Sequence, residues 1–186
     1  MTLKRNLKSA VFCVPALWFL CMPGHAEANK ETRHLIKAAR LDSLVVLAMS
    51  RAFYPRALPS DPDLLKASNC LATSGRSGFV EILADAAQRT MSSDELRAAR
   101  LFFDSPAGRK YADLTVWQGR AELGLTQVSH APQFSKQEEA RVAGFVNSPG
   151  RIKLAIPQLF IGPQVMGRVY DLSAHIVHDC LARQGE

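Results

Sequence analysis

Asp171, His175 and His178 stand at positions i, i+4 and i+7 near the C-terminal end of the chain. On a helix that spacing sets all three on one polar face. Carboxylate and imidazole together can ligate zinc or copper, and Asp179 stands close enough to assist. Arg168 nearby opposes a cation, and one helix supplies at most three or four ligands. The competing reading is a solvated helix face.

A second candidate is an anion site. Ser105-Pro106 and Ser148-Pro149 each open a helix, where free backbone N–H groups and the helix dipole favour negative charge. Arg109 and Lys110 follow the first start, Arg151 and Lys153 the second. Gly108 or Gly150 would let a phosphate or carboxylate approach the backbone. The expected set is Ser105, Gly108, Arg109, Lys110, Arg151 and Lys153. Against it stands the plainer reading that serine caps and the basic side chains are solvated.

Catalytic signatures are missing: there is no P-loop, GxGxxG, HExxH or CxxC, and no cofactor is expected. Gly75-Arg76-Ser77-Gly78 approximates a nucleophile elbow. However, Phe79 occupies the place of its second glycine, and no strand precedes it. Asp94-Glu95 and Glu138-Glu139 are explained by favourable charge at helix N-termini. Tyr111 and Trp117 fit an apolar helix stripe, which makes them core rather than a ligand platform. An enzyme would need His130, His175 or His178 to converge with carboxylates.

The elements that must position these residues all read as helix. A first helix runs from about Glu31 to Phe53, apolar nearly all round between Leu44 and Met49 and therefore central. Asp61 caps a second helix with Pro62 at its first position. Thr73 to Gly78 breaks that helix, and Phe79 to Arg89 forms a third. Met91-Ser92-Ser93-Asp94-Glu95-Leu96 contains a capping box between Ser92 and Glu95, and a staple between Met91 and Leu96. Its helix ends at Asp104. Ser105-Pro106 then turns a corner into a helix running toward Gln127, with a stripe of Tyr111, Leu114, Trp117, Ala121 and Leu125. After Gly162-Pro163 a last helix reaches about Gln184, and Val165, Val169, Leu172, Ile176 and Cys180 share one face.

Residues 91–112 recur at 134–155, offset by 43 without a gap. Ser92 matches Ser135, Glu95 matches Glu138, Phe102 matches Phe145, Ser105-Pro106 matches Ser148-Pro149, and Lys110 matches Lys153. Two copies make a duplication, too few for a solenoid. The second copy loses the staple, because Glu139 replaces Leu96. Its glycine sits one position earlier, and Pro157 shortens its second helix.

The N-terminus reads as a secretory signal. Lys4, Arg5 and Lys8 precede an apolar run from Ala10 to Met22, then Pro23-Gly24 and an Ala26-Glu27-Ala28 cleavage pattern. The run is short for a membrane helix, and bulky Trp18-Phe19-Leu20 before Cys21 argues against a lipoprotein. Cleavage is expected after Ala28, with Ala26 as the alternative site and an uncleaved anchor as the competing reading. Removal of residues 1–28 takes away three basic residues and one acid and brings the net charge from +6 to +4. So mild a charge does not identify nucleic acid as a partner. Cleavage also removes Cys13 and Cys21. The mature chain keeps Cys70 and Cys180, which an oxidising compartment would join. The alternative is two buried free thiols.

Phe102-Phe103-Asp104-Ser105-Pro106-Ala107-Gly108-Arg109-Lys110, preceded by Ser92-Ser93-Asp94-Glu95-Leu96, resembles the signature of domain-of-unknown-function family 2059. The resemblance covers about residues 90–125 and is weaker in the second copy. It implies an exported helical bacterial protein of the envelope and carries no activity.

The expectation is one all-α domain over residues 29–186, of about six or seven helices, with repeat units at about 91–127 and 134–160 and the first helix buried between them. The leading function is a periplasmic or secreted binding module for an envelope partner, with no membrane span after cleavage. A metal- or anion-binding protein and a hydrolytic enzyme are the alternatives.

Overall fold

The computed structural model describes residues 29–54, 61–123, 130–154 and 163–182. The expected signal at 1–28 lies outside these, as do Pro157 and the expected extension of one helix to Gln127.

Among the described residues the fold is all helix: α1 (Lys30–Ala38), α2 (Leu41–Phe53), α3 (Pro62–Cys70), α4 (Arg76–Thr90), α5 (Ser93–Phe103), α6 (Pro106–Glu122), α7 (Lys136–Val146), α8 (Pro149–Leu154) and α9 (Pro163–Ala182). Helices α3 and α4 are two halves of one rod, because Leu71–Gly75 between them forms a π-helical turn. Counted so, there are eight helices, against six or seven expected. No helix among the described residues is long and apolar enough to cross a membrane.

The expected break at Thr73–Gly78 is therefore corrected: the chain stays helical. Its glycines serve packing instead of termination. A Cβ on Gly75 would lie 2.9 Å from Ile176 Cδ1, and one on Gly78 would lie 2.6 Å from Leu172 Cδ2. Without side chains there, α9 lies directly against the rod. The apolar burial this allows offsets the roughly 0.5–1 kcal/mol that each glycine costs a helix. The face expected of α9 is the one used: Val165, Val169 and Ile176 are buried, with Leu172 and Cys180 packed beside them. Cys70 and Cys180 are disulfide-bonded, their Cα atoms 6.2 Å apart, tying the rod to α9.

The single first helix is also corrected. Arg40 adopts the left-handed conformation (φ 56°, ψ 24°) and separates α1 from α2. Its N–H donates to the Lys37 carbonyl, and its own carbonyl accepts from the N–H groups of Ser43 and Leu44. One residue thus ends α1 and caps α2. Helix α2 is as central as expected, with Leu41, Val45, Val46, Leu47 and Met49 buried and with α1, α3, α4 and α6 around it. Asp42, 4% exposed, pairs with Arg76 of the rod at 3.2 Å.

The local caps form as the sequence dictates. Asp61 Oδ1 accepts from the N–H of Asp63. Ser92 and Glu95 make one capping box, Ser135 and Glu138 the other. Ser105 Oγ accepts from the Gly108 N–H, and Ser148 Oγ from the Arg151 N–H. The two helix–Ser-Pro–helix units are α5–α6 and α7–α8.

The first helix does not lie between these units. They meet each other directly, α5 against α8 and α6 against α7. Tyr111, Leu114, Trp117 and Ala121, expected as an apolar stripe, are only half-buried.

Candidate functional site

The interface between the two units absorbs most of the charge expected to bind an anion. Lys110 Nζ donates to Glu138 Oε2 at 2.8 Å, and Lys153 Nζ donates to Glu95 Oε2 at 2.8 Å. Each lysine thus reaches the capping-box carboxylate of the other unit. The same oxygens accept the N–H groups of Ser135 and Ser92. Two donors on one oxygen favour the ionised form. The Lys110 hydrogen bond, helped by the Ser135 N–H, holds Glu138 down to about 2. Lys153, helped by Ser92, lowers Glu95 in the same way. Between the two crossed pairs, Phe102 stacks on Phe145 with ring centroids 3.9 Å apart.

Arg151 Nε donates to the Tyr111 hydroxyl at 3.1 Å, again across the units. Gly108 is occupied by packing: a Cβ there would lie 2.0 Å from the Phe102 carbonyl oxygen. It is required by the sharp corner rather than by an approaching ligand. Of the six residues expected to bind an anion, Lys110, Lys153 and Arg151 tie the units together, while Ser105 and Gly108 build a corner. Arg109 alone turns elsewhere, donating to the Asp104 carbonyl at 2.6 Å.

The expected metal trio is not brought together either. Asp171, His175 and His178 are all exposed on α9. His175 Nε2 lies 3.2 Å from Asp179 Oδ2 and His178 Nδ1 lies 3.5 Å from Asp179 Oδ1. Both imidazoles thus turn to Asp179. Their side chains are 75% and 82% exposed, so no second element closes a ligand set over them. Among the described residues no group of three or more His, Cys, Asp or Glu is arranged to hold a metal ion. His130 is exposed ahead of α7.

Charge collects instead in a cleft of about 300 Å³ between the end of α1 and the α5–α6 corner. Its walls are His34, Lys37 and Arg40 on one side and Asp104, Arg109 and Asp113 on the other, with Phe103 and Ala38 also lining it. His34 Nε2 and Asp104 Oδ1 are 2.7 Å apart, and Arg40 Nε lies 3.3 Å from Asp113 Oδ1. Phe103 is 4% exposed and belongs to the core, so the cleft has an apolar floor and a charged rim.

Of these residues only Arg109 is marked by the sequence as a ligand-binding side chain. The rest come from helices some 70 positions apart, as the His34–Asp104 contact shows. The turn that presents Arg40 carries neither glycine nor proline to betray it.

Fold and site define an all-helical, disulfide-stapled domain with an internal pair of crossed helix–corner–helix units and a charged cleft beside the first of them. No family model, no curated protein and no solved structure matches this chain.

Proposed function

We propose that the chain is exported and that its mature domain works by binding, with the α1–α6 cleft as the recognition surface. The observation that carries this reading is the cleft itself: three cations, a histidine and two carboxylates ring an apolar floor, and a few polar groups around an apolar base are the general make-up of a ligand site. The Cys70–Cys180 bridge supports the location, since structural disulfides persist in oxidising compartments. The basic, apolar and small-residue order of residues 1–28 supports export by a cleaved signal. The likeness of residues 90–125 to family 2059 supports an envelope setting in the same sense.

The test is made on protein recovered from the envelope fraction of a bacterial host, with a photo-cross-linking residue at His34, on the cleft rim, and, separately, at Asp171. The expected result is an intact mass beginning at Asn29 and lighter by the two thiol hydrogens, with an adduct from position 34 and none from 171. An unprocessed chain with free thiols would overturn the export reading. Equal labelling from both positions would overturn the cleft as the binding surface.

A further inference from the structure

We propose that this cleft takes a small organic anion, its oxyanion held by Lys37, Arg40 and Arg109 and its apolar part lying on Phe103. The inference rests on the binding reading above and names the chemistry of the ligand.

The charge balance of the rim points this way. Three cations, Lys37, Arg40 and Arg109, face two carboxylates, Asp104 and Asp113; Asp113 is paired with Arg40, and Asp104 shares a hydrogen bond with the His34 imidazole. Lys37 and Arg109 have no carboxylate within ion-pair distance among the described residues. Arg109 spends one N–H on a backbone carbonyl. Arg40 makes its contact with Asp113 through Nε. A guanidinium carries five donors in a fixed fork, so both arginines retain N–H groups suited to a carboxylate or phosphate.

The backbone supplies an independent argument. Arg40 is the described non-glycine residue with positive φ. Holding an L-residue there costs roughly 1–2 kcal/mol, which glycine would avoid. The Arg40 and Asp113 side chains are 52% and 53% exposed, and an exposed pair returns at most about 1 kcal/mol. The ion pair therefore does not account for arginine at this turn. Strained residues of this kind cluster at ligand clamps. The turn also aims Arg40 into the cleft that Lys37 and Arg109 line.

The size of the cleft limits its occupant to a small molecule: about 300 Å³ is at the lower end of ligand sites. The apolar floor favours an organic anion over a bare inorganic one.

The experiment titrates the mature, disulfide-bonded protein with inorganic phosphate and, separately, with succinate, following backbone amide NMR shifts. We expect saturable shifts confined to residues 34–40 and 103–113, with a Kd on the order of 1 mM for at least one probe. Saturation by phosphate alone identifies a phosphate-type head group, and by succinate alone a carboxylate. Arg40→Gly should weaken binding by about tenfold or more while leaving the melting temperature unchanged or higher, since glycine relieves the turn. Arg109→Gln should weaken binding similarly, whereas Lys136→Gln, remote in the α7 capping region, should not. Absence of saturable shifts with both probes, or full affinity in Arg40→Gly, would overturn the proposal. If neither anion binds yet position 34 still cross-links a partner, the small-anion inference falls and the binding reading stands.

Discussion

Phe102 lies flat against Phe145, the residue 43 positions further along the chain, with 3.9 Å between ring centroids and 7° between planes. These are equivalent positions of the two units, so the duplication meets itself at this stack. Around it the contacts are exchanged in pairs. Lys110 of the first unit holds Glu138 of the second, and Lys153 of the second holds Glu95 of the first. Phe103 and Tyr111 pack edge-on against Phe145. At the stack and the two ion pairs the arrangement is that of a two-fold dimer interface built within one chain, while the Arg151–Tyr111 bond has no counterpart, because Gly108 and Leu154 stand at the equivalent positions.

Removing one ring should loosen both units. Phe145 is 8% exposed, and Phe145→Ala is expected to cost about 3–4 kcal/mol in urea unfolding. A Phe102/Phe145 double-mutant cycle should return a coupling of about 0.5–1.5 kcal/mol beyond the area lost. A coupling near zero would mean that the stack contributes by burial alone.

The crossed ion pairs predict an acid dependence. Glu138 is depressed from 4.5 to about 2, chiefly by the Lys110 hydrogen bond. A depressed carboxylate contributes stability that is fully present above its unfolded value and is lost as the pH falls through its folded value. The contribution of Glu138 should therefore decay between about pH 4.5 and about pH 2. In Lys110→Met the Glu138 carboxyl should titrate closer to 4.5 by NMR, and the acid limb of the stability curve should flatten. An unchanged Glu138 titration would show that the Ser135 N–H, and not Lys110, sets it. Lys153→Met should do the same to Glu95.

Two glycines should respond in opposite directions. Gly108→Ala places a methyl 2.0 Å from the Phe102 carbonyl oxygen, a backbone atom that cannot turn aside. We expect a loss of about 3 kcal/mol or more. Gly144, exposed in α7 with nothing within 4 Å of an added Cβ, should gain about 0.5–1 kcal/mol as alanine. Urea melts of the two variants check both signs. A tolerated Gly108→Ala would mean that the corner opens more readily than its geometry implies.

The disulfide closes 110 residues of sequence. In the chain-entropy account a loop of that length stabilises by about 4–5 kcal/mol. Replacing both Cys70 and Cys180 by serine should lower unfolding stability by that order, with α9 still docked through the Gly75 and Gly78 grooves. Far-UV circular dichroism of the double variant should keep its helical signal at low temperature. Loss of that signal would show that the bridge, and not the grooves, holds α9.

What could be read along the chain was whatever a few neighbouring residues decide. Capping boxes at Ser92 and Ser135, proline at the first position of α3, α6 and α8, the duplication, and the buried face of α9 all rest on hydrogen bonds or periodicity within one or two turns. Those residues act on backbone groups three or four positions away, so their order alone sets the outcome. Even the disulfide followed from a count, because two cysteines remain after the expected signal.

Docking decided the rest. Lys110 finds its carboxylate 28 positions away, Lys153 finds one 58 away, and His34 meets Asp104 across 70. Which lysine is neutralised and which arginine stays available depends on how the corners cross, and nothing local to either residue records that. Gly75 and Gly78 carried the sequence signal of a break, yet packing against Ile176 and Leu172 turned them into a groove inside a continuous rod. Arg40 carried no turn signal at all, and the packing of α1 and α2 against α4 and α6 placed one there. Propensities of about 1 kcal/mol per residue are smaller than the several kcal/mol that burying a helix face contributes, so where the two disagree the tertiary packing prevails.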